Sequence, residues 1–71
     1  MNAIEEIKKN LYESYKWLYE ENMESFRRCL DWAKERRLQG HRGWAIYWLE
    51  SAALHRKMVL RYKRSMEFYA N

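Results

Sequence analysis

The chain has no proline, two glycines and one cysteine among its 71 residues. Each scarcity excludes something. With no Pro, and with Gly confined to Gly40 and Gly43, little interrupts regular structure. The abundant Leu, Glu, Lys, Arg and Met favour helix. Cys29 stands alone, so no intrachain disulfide can form, and a reducing, cytoplasmic setting is the simplest expectation. No stretch approaches the ~18 uncharged apolar residues of a membrane span. Glu5, Glu6, Lys8 and Lys9 also break any signal-like apolar run near the N-terminus. A nucleotide-binding α/β sheet needs a much longer chain, so a single helical domain over 1–71 is expected.

What is present is charge and aromatic surface: 34% of residues are charged and 17% aromatic, with a net charge of +4. The charge is uneven. Residues 1–36 hold 7 Lys/Arg against 8 Asp/Glu, whereas residues 37–71 hold 7 against 2. A basic second half points to nucleic acid, to an acidic protein surface, or to an acidic stripe on another copy of the chain.

The segment Leu38-Gln39-Gly40-His41-Arg42-Gly43 is the one strong break. Asn2 is a favourable N-cap, with Glu5 placed like the acid of a capping box. Gly40 suits the left-handed residue past a helix end. The sequence therefore predicts an all-α antiparallel hairpin: a first helix over about 3–38, a turn at about 39–43, and a second helix over about 43–69. A kink near Asn22 is the main alternative, although no Pro or Gly enforces it.

In the first helix, Ile4, Ile7, Leu11, Tyr15, Leu18, Phe26, Cys29 and Ala33 recur at helical spacing, widened by Tyr12, Tyr19, Met23 and Leu30. Asn22 lies within that face, either as a satisfied core amide or as a buried polar group that sets register. In the second helix the expected core face is Trp44, Tyr47, Trp48, Ser51, Ala52, Leu54, Met58, Val59, Tyr62, Met66 and Tyr69. A further apolar line, Ile46, Leu49, Ala53 and Leu60, lies nearly opposite. One hairpin cannot cover both lines, and so small a core gains from oligomerising. Self-association, most simply into a four-helix-bundle-like homodimer, is the expectation.

Acidic residues Glu6, Glu13, Glu20, Glu24, Asp31 and Glu35 form one stripe on the outside of the first helix. Basic residues Arg42, Arg56, Lys57, Lys63 and Arg64 surround the extra apolar line of the second. Partner binding is assigned to Ile46, Leu49, Ala53 and Leu60 with a rim of Arg56, Lys57 and Arg64, an apolar centre with a charged border suited to a protein with an acidic surface. Trp17, outside the core arc and beside the acidic stripe, is the second candidate, since interface hot spots favour Trp. The bland alternatives are a solvated face with scattered apolar residues and a ring lying along the surface.

Catalytic and metal chemistry find no support in the pattern. His41, His55, Cys29 and Glu50 do not fall at ligand spacing, so no metal or cofactor is expected. Cys29 lies on the expected core face with no activating His–Asp pair. No Gly-rich phosphate loop is present. The function expected is a non-catalytic protein-binding module, a small inhibitor or adaptor of a larger protein machine, of the kind phages and mobile elements encode. The alternative is a nucleic-acid-binding helical dimer. In it, Arg42, Arg56, Lys57, Arg61, Lys63 and Arg64 would neutralise phosphates and Trp44, Tyr47, Trp48 and Tyr62 would stack on bases.

Overall fold

A computed structural model describes residues 2–70. It contains two helices, α1 (Ala3–Leu38) and α2 (Arg42–Phe68), folded back on each other as an antiparallel hairpin. α1 starts where its first orphan amides find a partner: Asn2 Oδ1 accepts from the Glu5 backbone N–H at 2.8 Å. Glu5 and Glu6 sit in the positive first turn and Arg36 and Arg37 in the negative last turn. α1 ends in a Schellman arrangement. The His41 N–H donates to Arg36 O (2.9 Å) and the Gly40 N–H to Arg37 O (3.0 Å). Gly40 turns the chain at φ 81°, a conformation only glycine adopts at little cost. α2 begins without a side-chain cap at His41 and has no acid in its first turn, so it depends on packing more than α1 does.

The seam between the helices follows a seven-residue repeat on both sides. In α1 it runs through Tyr12, Tyr15, Tyr19, Asn22, Phe26, Cys29 and Ala33, all half-buried or buried. In α2 it runs through Ala45, Trp48, Ala52, His55, Val59, Tyr62, Met66 and Tyr69, again all half-buried or buried. Steps of three and four alternate without a fault, the pattern of knobs-into-holes packing. Aromatic pairs fix the register at both ends. Near the turn, Trp32 lies on Trp48 with ring centroids 4.5 Å apart. Towards the open end, Tyr15 stacks on Tyr69 (5.8 Å, 4° between planes) and meets Tyr62 at 6.1 Å.

This seam corrects the expected core face of α2. Trp44, Tyr47 and Leu54 are 58%, 51% and 63% exposed, while Ala45 and His55, absent from the expected face, pack inward. The face is rotated by about one residue, so that the small Ala45 and Ala52 are buried along with Cys29 and Ala33 of α1. In α1, Ile4 and Ile7 are also exposed (65% and 57%) rather than packed. At the open end Tyr69 and Ala70 lie beside Glu5, Lys8, Lys9 and Tyr12, so it is these residues, not Ile4 and Ile7, that face the second helix there. Leu30 is exposed as well, at the edge of the seam.

α1 is a single continuous helix through Asn22. The Asn22 Nδ2 donates to the Leu18 carbonyl one turn back at 2.8 Å, so the amide is satisfied within its own helix and does not tie register to α2. His55 Nδ1 lies 2.8 Å from Ser51 O. A carbonyl only accepts, so this contact places a proton on Nδ1.

The hairpin is a rod of 57 × 13 × 12 Å with a radius of gyration of 16.4 Å, against about 11 Å for a compact 71-residue domain. Its accessible surface is 5997 Å², where a compact monomer of this mass would show about 4,800 Å². Among the described residues only Cys29, Ala33, Ala45, Ala52 and Val59 are buried, and none is larger than valine. No large side chain is fully enclosed.

Candidate interaction surfaces

In an antiparallel pair, the residues just before each helix's inner seam position line one edge of the seam, and those just after line the other. The two edges differ sharply in chemistry. One comprises Ile4, Leu11, Leu18, Ser25 and Trp32 from α1 with Trp44, Ser51, Met58 and Ser65 from α2. None of these nine is charged. The other comprises Lys9, Lys16, Met23, Leu30 and Arg37 with Leu49, Arg56, Lys63 and Ala70, of which five are basic and none acidic. Shallow hollows confirm that the edges come from both helices. Ser25, Trp32 and Ser51 line one hollow with Cys29 and His55 at its floor. Leu30, Arg37 and Leu49 line another over Ala33 and Ala45.

Of the α2 residues assigned to partner binding from sequence, Leu49 and Arg56 lie on the basic flank and the rest on the outward side of α2 next to it. Ile46, Leu49, Ala53 and Leu60 are all exposed on α2, and so are Arg56, Lys57 and Arg64. Leu60, Lys57 and Arg64 share a surface hollow with Leu54, Arg61 and two residues of the uncharged flank, Met58 and Ser65, so the outward side of α2 runs into that flank. Among the described residues, the single ion pair is Glu24–Arg28 at 2.6 Å on the exposed side of α1. The cations of α2 therefore border their apolar centre without an acidic neighbour in contact. Trp17 stands apart, exposed on α1 beside Asn10, Glu13, Ser14 and Leu18. Nothing brings it to the α2 cluster.

Sequence reasoning missed the uncharged flank as a surface because it placed Trp44 and Tyr47 in the core. In the structure they form an outward aromatic run with the seam residue Trp48. Trp44 meets Tyr47 edge-on at 5.7 Å, and Tyr47 meets Trp48 at 5.0 Å. The signal that would have found it is the step from Ala45 through Ala52 to Val59, a strict seven-residue repeat of small residues. Trp48 and Tyr62, two of the four rings offered for base stacking, lie in the seam. The other two, Trp44 and Tyr47, sit across the seam from Arg56 and Lys63.

Among the described residues, no group of three or more His, Cys, Asp or Glu side chains is placed to hold a metal ion. No described helix is long and apolar enough to cross a membrane. No family model matches the chain, and comparisons with curated proteins and with solved structures find no match either.

Proposed function

We propose that this chain is a non-catalytic protein-binding module, a self-associating helical hairpin that serves as a small inhibitor or adaptor of a larger protein machine in a reducing, cytoplasmic setting. The observation that carries the reading is the outward side of α2. An apolar centre of Ile46, Leu49 and Leu60 is exposed on α2 and bordered by Arg56, Lys57 and Arg64. Apolar area at the centre supplies affinity, and the rim steers an acidic protein surface onto it. Self-association is supported by the scale of unburied surface on a rod whose enclosed residues are all small.

A nucleic-acid-binding dimer is the competing reading. It is less favoured because the exposed rings Trp44 and Tyr47 lie across the seam from Arg56 and Lys63, whereas a single-strand groove interleaves cations with stacking rings. The acidic stripe of α1, exposed along its length, would repel a wrapped phosphate backbone.

Two measurements test the proposal. Leu49→Asp with Leu60→Asp should abolish capture of the partner from the source cell while helicity by circular dichroism is retained. Binding to generic duplex and single-stranded DNA should be weak and show no steep salt dependence. Micromolar DNA affinity at physiological salt, falling with a slope set by the number of phosphates contacted, would replace this function with the competing one.

A further inference from the structure

We infer that the uncharged flank is the surface on which a second copy of this chain docks, hairpin against hairpin about a two-fold axis, to close a four-helix bundle. The inference rests on the self-association proposed above and assigns it a face.

Charge selects the face. A two-fold interface sets a patch against itself. The basic flank folded on itself would oppose five Lys and Arg side chains with five more, a like-charge contact that disfavours pairing. The nine positions of the other flank carry no charge, and Arg28, which lines its hollow, is paired with Glu24, so that flank meets its own copy with little repulsion. The basic flank is then left free on the outside of the dimer.

Area supports the same choice. The rod is 57 Å long, and two helices side by side present a face about 18 Å across. Each copy thus offers roughly 1,000 Å², or about 2,000 Å² for a pair, against ~1,600 Å² for a standard stable interface. Exposed Trp32, Trp44, Tyr47 and Leu54 supply the apolar content on this side. Ser25, Ser51 and Ser65 alternate with these large groups and leave notches into which a neighbouring helix's side chains fit. The hollow over Cys29 and His55, walled by Trp32 and Trp48, is one such notch.

The test is sedimentation equilibrium on three proteins with helicity checked in parallel. The parent chain should be a dimer at micromolar concentration. Trp44→Glu with Leu54→Glu should weaken dimerisation by about a hundredfold or more. Both side chains are exposed in the hairpin, so its fold is retained, and a Glu at position 44 suits the first turn of α2. Leu49→Asp, on the basic flank, should remain dimeric. Tyr47→Lys, also at an exposed position, provides the same readout if the double variant loses helicity. A monomeric parent overturns this inference and the proposed self-association together. A dimer that survives both Trp44→Glu/Leu54→Glu and Tyr47→Lys, or one that Leu49→Asp also disrupts, overturns the assigned face while self-association stands.

Discussion

Alanine at each of the chain's two glycines should move stability in opposite directions. Gly40 has φ 81°, and a Cβ there would meet nothing within 4 Å. The cost of Gly40→Ala is therefore purely a backbone cost, and the left-handed region costs an L-residue about 1–2 kcal/mol. The reduced freedom of the unfolded chain returns part of that, leaving a net destabilisation of about 1 kcal/mol. Gly43 lies three residues on, inside the first turn of α2, with negative φ and equally open space. Gly43→Ala removes the helix penalty of glycine, a gain of about 0.5 kcal/mol so near a helix end. The two variants should differ by about 1.5 kcal/mol, or roughly 6–12 °C in Tm for a domain of this size. Urea and thermal unfolding followed by circular dichroism measure this, at one fixed protein concentration because self-association adds a concentration term. A shift of the same sign in both variants, or a neutral Gly40→Ala, would refute the left-handed turn and the start of α2 immediately after it.

Two further perturbations probe the ends and the seam. Asn2→Ala removes the acceptor for the Glu5 amide and should cost about 1 kcal/mol, with faster hydrogen exchange confined to the first turn of α1. Ala52→Leu puts a larger side chain where the helices touch and should destabilise by about 1–3 kcal/mol, seen as a lower urea midpoint. An unchanged midpoint would mean that Ala52, buried in the hairpin, does not sit at a close helix contact.

The secondary structure was legible in the sequence because its causes are local. The N-cap at Asn2, the left-handed Gly40 and the absence of Pro each act within a few residues of the chain. They placed α1 at its observed limits and α2 within about a residue of them. The exposure of Ile46, Leu49 and Leu60 was legible for a similar reason, since a helical wheel puts them opposite any face that holds Trp48 and Val59.

The orientation of α2 about its own axis was not legible. Hydrophobicity alone ranks Trp44, Tyr47 and Leu54 above Ala45, and so drew the core towards the largest rings. Packing ranks them the other way. Where α1 presents Cys29 and Ala33, small residues such as Ala45 and Ala52 are enclosed and the larger rings are turned to the edges. Nor could local pattern show that Ile4 and Ile7 stay exposed, because that depends on how two segments far apart in sequence are set against each other. Tertiary contact settled both points and, with them, separated the uncharged edge of the hairpin from the basic one. Composition determined that there would be two helices with more apolar surface than they could bury. The fit of small side chains along the seam decided which surface was left outside.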